Sequence, residues 1–335
     1  MKSLAVLVMV VVVVVADTFT DLIKEEWNAF KLRHKKSYED QTEDKFRMKI
    51  FAENKLYIEK HNRRFESGQE TYRLGVNKYA DMLHHEFVTM NEFNSSAKLD
   101  EGQASSGATF VLPANLAVPK MMDWRKHGAV TDVKDQGKCG SSWAFSTTGS
   151  LEAKHFLKTG YLWSLSEQNL IDCSGAYGNK GCKGGFVANS FTYIRDNGGI
   201  NTEETYPYKG VSRLCRYDPD DVGATVVGFV DLPKGDEKTL KQAVATVGPV
   251  SVTIDASERA FQFYTTGVYY EKKCSSKKVN HAMLVVGYGT DDEHDDYWLL
   301  KNSWGRSWGR LGYMQLARNR DNHCGVATAA TYPLV

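Results

Sequence analysis

Four side chains in the later part of the chain could do chemistry together. Gln136 and Ser142 lie in the stretch DQGKCGSSWAFS, His281 in NHAMLVVGYG and Asn302 in KNSWG. A hydroxyl near a helix N-terminus, an imidazole from an apolar strand and an amide able to orient that ring are the parts of nucleophilic acyl transfer. Simpler roles stay open for the same residues. Ser142 can cap a helix, and His281 can be a satisfied core or surface histidine.

Positioning these groups requires both helix and sheet. Residues 142 to 158 read as a helix with Phe145, Leu151, His155 and Phe156 facing inward, and with Ser141 or Ser142 able to cap its start. The runs ATVVGFV, PVSVTI, GVYY, AMLVVGYG, YWLLKNSW and GYMQLA, separated by glycines and charged turns, predict several antiparallel strands. A helical portion would then meet a strand-rich portion at a cleft, a common location for a site. Phe261, Phe263, Tyr264, Tyr269 and Tyr270 read as packing, and the acidic residues of 291–296 as a solvated turn. Gly287-Tyr288-Gly289 lacks the full pattern of a phosphate loop.

The region ahead of this is different. Residues 17 to about 93 hold no cysteine and show helical periodicity, with Trp27, Phe30 and His34 near one face. Glu43, Arg47, Phe51, Asn54, Ile58 and Asn62 recur at helical spacing and share an arc of about 100 degrees. Such a mixed stripe suits docking against another element as well as a charged helical hairpin. Residues 98–117, KLDEGQASSGATFVLPANLA, read as an extended connector, and Asn94 opens a glycan acceptor triplet, NSS.

Composition narrows the class. The chain has 335 residues, 42 basic and 41 acidic side chains and a formal net charge of +1. No basic stripe with interleaved aromatics appears, so nucleic acid is not an expected partner. Lys2, an apolar run from Leu4 to Ala16 and a polar turn at Asp17 predict a cleaved secretory signal over residues 1–16, not a stable membrane span. Six cysteines, Cys139, Cys173, Cys182, Cys215, Cys274 and Cys324, suggest three disulfides in an exported protein, with fifteen pairings open from spacing alone. Without a CxxC pair, structural zinc is not expected, and no cofactor is implied.

Taken together, these motifs resemble the papain family of cysteine peptidases, in its procathepsin L-like branch. Cys139-Gly140-Ser141-Ser142-Trp143 follows the family's nucleophile signature, except that Ser142 occupies the position of the reactive cysteine. The stripe from Glu43 to Asn62, with Ile50, matches the interrupted helical signature of the propeptides. Gly75, Asn77, Tyr79 and Asp81 match their second motif, with Tyr79 in place of the usual phenylalanine. The resemblance implies an α+β, two-lobed fold, one lobe helical and one an antiparallel, barrel-like sheet, preceded by a helical inhibitory propeptide over 17–117 and continuing as a peptidase domain over 118–335. The connector would cross the cleft in the nonproductive direction.

By the same resemblance, Gln136 and the backbone N–H of residue 142 would stabilise an oxyanion. His281 would act as base, Asn302 would orient it and Trp304 would shield that contact. Cys139 would pair with Cys182, Cys173 with Cys215 and Cys274 with Cys324. Phe186, Val187, Thr253, Val279 and Ala329 would wall an apolar pocket for the second residue before the cut. Asn280 replaces an acidic residue common in cathepsin L. The implied protein is a monomer acting on peptides or proteins, held by its own propeptide, in an extracellular or digestive lumen or, alternatively, a lysosome.

Serine at 142 changes the chemistry. A thiol has a reference pKa of about 8.5, lowered further beside histidine, whereas a hydroxyl cannot store a resting nucleophilic ion pair. Peptide-bond hydrolysis is therefore expected to be absent or severely impaired. The alternatives are a noncatalytic peptide-binding or regulatory homologue, an active serine variant and a silicatein-like protein. Against the last, Trp143 follows Ser142 and CSSKKVN carries only a short serine pair.

Overall fold

A computed structural model describes residues 21–91, 107–110, 117–293 and 295–335. The apolar run 4–16, the Asn94 triplet and most of the connector lie outside the described residues. Residues 21–34 form helix α1, and Gln41–Glu66 form α2, whose start is capped by Asp40 accepting the N–H groups of Thr42 and Glu43. Trp27 stacks on Phe30 at 5.4 Å, and both meet Phe51 of α2. The polar members of the stripe serve docking. Asn54 donates to the carbonyls of Ala80 and Met82, while Asn62 bonds both backbone groups of Leu74.

That docking fixes strand β1 (Tyr72–Leu74) and helix α3 (His84–Asn91). Arg47 bonds Glu86 of α3 at 2.6 Å, and Lys36 and Tyr38 both hold Asp81. Next come β2 (Ala108–Thr109) and β3 (Met122–Asp123). The helical lobe contains α4 (Ser142–Thr159), α5 (Glu167–Cys173) and α6 (Val187–Asp196), followed by the short antiparallel pair of β4 (Ile200–Asn201) and β5 (Val222–Ala224). Its core joins Trp143, Leu151, Leu170, Phe191 and Ile194. Disulfides Cys139–Cys182 and Cys173–Cys215 tie its loops.

The sheet lobe runs β6 (Gly228–Asp231), α7 (Glu237–Thr246), β7 (Val250–Ile254), α8 (Arg259–Phe263), β8 (Tyr264–Tyr269), β9 (His281–Thr290), β10 (Asp296–Lys301), β11 (Tyr313–Ala317) and β12 (Thr331–Leu334). Its strands are ordered β1-β8-β11-β10-β9-β7-β12-β6-β2, with β3 added on β9. The expected barrel is thus an open sheet, because its end strands β1 and β2 do not pair with each other. It is also not wholly antiparallel, since β11 pairs with β8, and β2 with β6, in parallel. The ATVVGFV run divides between β5 and β6 instead of forming one strand.

Both end strands come from the region before residue 118, so that region covers edges that would otherwise offer unpaired backbone groups. It shares side-chain packing too. Phe51, Ile58, Tyr72, Tyr79 and Phe87 join the same buried cluster as Phe261, Tyr264, Tyr269 and Trp304. Cys274–Cys324 links the segment after β8 to the turn between β11 and β12.

Candidate active site

Helix α4 carries Ser142 as its first residue, and every residue from Ser142 to Ala153 is buried. His155 and Phe156, expected to face inward, are only half-buried because they lie beyond that covered part. Neither serine caps through its side chain. Ser141 is the N-cap residue without a side-chain capping bond, and its hydroxyl instead pairs with that of Tyr208 at 2.9 Å. The Ser142 Oγ reaches across to β9, where it accepts the N–H of Ala282 at 3.2 Å.

His281 opens β9, and its Nε2 lies 2.8 Å from the Asn302 Oδ1. That oxygen also accepts the Ser303 N–H at 2.7 Å, which fixes the amide with its acceptor toward the ring. The proton therefore sits on Nε2, and Nδ1 is the basic nitrogen. Nδ1 is buried without a hydrogen-bond partner among the described residues. Burial pushes the imidazole down to about 4, with the Asn302 contact opposing, so the ring is neutral. Trp304 lies against it at 4.5 Å between ring centroids.

Gln136 is fully buried and oriented from both ends. Its Nε2 donates to the Cys139 carbonyl at 2.8 Å, and its Oε1 accepts the Ser303 hydroxyl at 2.6 Å. The first bond uses one of the two amide hydrogens. Hydrogen bonds and sequence neighbours thus connect Gln136, Ser303, Asn302, His281, Ala282 and Ser142 in one chain. In the sequence Ser303 carries no signal beyond its place beside Asn302.

Behind this chain lies a charged group that sequence reading also missed. Lys134 bonds Glu152 of α4 and Glu167 of α5, and Lys301 at the end of β10 bonds Thr131. Burial pushes the Glu167 carboxyl up to about 7 despite Lys134. It acts on Glu152 in the same sense, but Lys134 and Lys301 hold that carboxyl below its usual range. The group has no shared motif because its members come from four separate segments.

The expected pocket residues fall on two sides. Phe186 is the N-cap residue of α6 and Val187 its first residue. On the sheet side Thr253 of β7 pairs in register with Ala282, Val279 precedes β9 and Ala329 precedes β12. The Thr253 Oγ1 is buried without a partner among the described residues. Phe261, Phe263, Tyr264 and Tyr269 are fully buried, whereas Tyr270 is 38 % exposed and faces His323. Of the described His, Cys, Asp and Glu residues, only Cys274, His323 and Cys324 cluster closely enough for a metal, and both cysteines are spent in a disulfide. No described helix is long and apolar enough to cross a membrane.

Comparison with known proteins places the chain in a family. Residues 118–334 match the papain family cysteine protease domain, and residues 27–87 match the cathepsin propeptide inhibitor domain. The chain is 59 % identical to a cathepsin L-like peptidase of Aedes aegypti, covering 100 % of both chains. It is 55 % identical to cathepsin L1 of Drosophila melanogaster, covering 96 % of this chain and 87 % of that one. The digestive procathepsin L 3 of Tenebrio molitor larval midgut superposes with a TM-score of 0.85 at 45 % identity, over 94 % of this chain and 99 % of that chain. By the extent of the matched domain and by these identities, the chain belongs to the papain family of cysteine proteases, with a cathepsin-type propeptide ahead of the peptidase domain.

Proposed function

We propose that this cathepsin L-like zymogen has a cleft that binds peptides but hydrolyses them very slowly or not at all, because Ser142 stands at the nucleophile position. The observation that carries this reading is the engagement of the Ser142 Oγ by the Ala282 N–H while His281 Nδ1 has no partner. Acyl transfer needs a nucleophile–base contact at that nitrogen. The neutral ring could accept a proton, but no thiolate is available to stabilise the imidazolium that results. Asn302 orients the ring and brings no negative charge to it.

In this reading residues 1–16 are a secretory signal, 17–117 an inhibitory propeptide and 118–335 the peptidase domain. Gln136 and the N–H of Ser142 would receive an oxyanion, since the first N–H groups of a helix have no partner within it. Phe186, Val187, Thr253, Val279 and Ala329 favour an apolar side chain in the second pocket. The protein acts as a monomer in the secretory pathway, in an extracellular or digestive lumen or in a lysosome.

The test is a paired assay of matured Ser142 and Ser142→Cys proteins. Expected is equal binding of a fluorogenic peptide, with rapid turnover only by the cysteine form. Comparable, active-site-dependent turnover by the serine form would defeat the proposal. A peptide-binding profile dominated by acidic or basic residues at the second position would reject the apolar pocket.

A further inference from the structure

Side chains pack across the boundary between propeptide and peptidase domain, but most of its hydrogen bonds use a main-chain group on at least one side. Strand β1 pairs with β8, the Gly75 N–H donates to the Phe263 carbonyl, and Asn77 donates to the Gln262 carbonyl. Where the propeptide supplies its main chain, as in the β1–β8 pairing and at Gly75, almost any residue could make the bond, whereas Asn77 meets only a carbonyl that every residue offers. Lys78 and Asp135 form a side-chain pair across the boundary, but Asp135 is 47 % exposed, where such pairs contribute little.

Arg259 is different. It begins α8, forms no ion pair among the described residues, and faces α2. Its Nη2 donates to the Asn54 Oδ1 at 2.7 Å, and its guanidinium carbon lies 4.3 Å from the centroid of the Tyr57 ring. The Asn54 amide hydrogens are both committed, to the Ala80 and Met82 carbonyls, so Oδ1 is fixed toward Arg259 and cannot exchange places with the nitrogen. Arg259 Nε has no acceptor among the described residues, so the hold rests on Asn54 and the Tyr57 face.

Beside the longer side-chain bonds of Glu271 to Tyr72 and Gln262 to His84, we propose that Arg259 is a specificity-determining residue by which the peptidase domain recognises its own propeptide, reading the Asn54 oxygen and the Tyr57 ring on α2. A planar guanidinium meets both features at once, whereas lysine offers a point charge without the fork. The inference rests on the reading of residues 17–117 as an intramolecular inhibitor. It adds a residue that favours a helix carrying Asn and an aromatic ring three positions apart.

The test is amide hydrogen exchange on the full chain. Arg259→Ala should speed exchange at the Gly75 amide about 10- to 100-fold, the loss of one charge-assisted hydrogen bond and one cation–π contact. Amides in the β9–β10 pairing should not change. Tyr57→Leu should give a smaller effect that is not additive with Arg259→Ala, and Arg259→Lys should keep part of the protection. Unchanged Gly75 exchange in Arg259→Ala, or equal acceleration throughout β9 and β10, would overturn the assignment. The inhibitor reading is checked separately with a fluorescent leucine-containing peptide. If the wild-type full chain binds it as tightly as protein freed of residues 17–117, that reading fails whatever Arg259 does.

Discussion

Ser142 and Ala282 are joined by a hydrogen bond in which the serine oxygen is the acceptor, at 3.2 Å, linking the first residue of α4 to the second residue of β9. The hydroxyl therefore has a structural task at the helix–sheet junction. Ala282 is 5 % exposed, so its N–H has little access to water as a substitute partner.

Ser142→Ala removes that acceptor and leaves a buried donor. The expected cost is about 1–3 kcal/mol, the usual range for an unsatisfied buried group. Urea unfolding of the full chain measures it, and any background peptide hydrolysis should stay unchanged. Stability equal to the parent would mean that the bond does not hold the junction, and lost hydrolysis would mean that the oxygen reacts.

Tyr79 offers the opposite case. Its ring packs edge-on against Phe87 and Trp304, at 5.2 Å and 5.8 Å, but its hydroxyl is buried with no partner among the described residues. Tyr79→Phe keeps the ring contacts and removes the stranded group, so the zymogen should gain about 1–3 kcal/mol. Denaturant midpoints at constant slope would record the gain. A loss of stability would show that the hydroxyl has a bridging partner.

The same residue illustrates what a sequence can disclose. Tyr79 as an aromatic in a docking motif is visible from its neighbours, and its extra hydroxyl poses the question of a partner. Only the surrounding rings answer it. The α2 stripe is legible because helical spacing is local, and the helix at Ser142 is legible for the same reason. The open sheet is not, because closure depends on whether β1 and β2, far apart in sequence, meet each other. Nor is the role of Ser142's oxygen, since capping and a bond to Ala282 need the same local residue type. Arg259 and Ser303 stayed hidden because each acts through a partner brought near by the fold.

Acid should weaken the zymogen through buried neutral histidines. Burial pushes His281 and His323 down to about 4 from 6.5, and Nε2 of His323 accepts the Glu271 N–H, a bond that protonation would break. Above about pH 6.5 both states are neutral and the histidines impose no penalty. As pH falls from there to about 4, the unfolded chain takes up protons that the folded chain refuses, and stability is lost. At 1.36 kcal/mol per unit, each histidine accounts for about 3 kcal/mol. Glu167 works in the other direction. With its carboxyl pushed up to about 7 from 4.5, the folded state takes the proton first, so stability is gained as pH falls through that interval. Two histidines outweigh one glutamate, and the full chain should lose net stability between about pH 6.5 and 4.5. Urea titrations at several pH values would show His281→Gln flattening this slope and Glu167→Gln steepening it. A slope left unchanged by His281→Gln would mean that the folded protein already carries the proton on that ring.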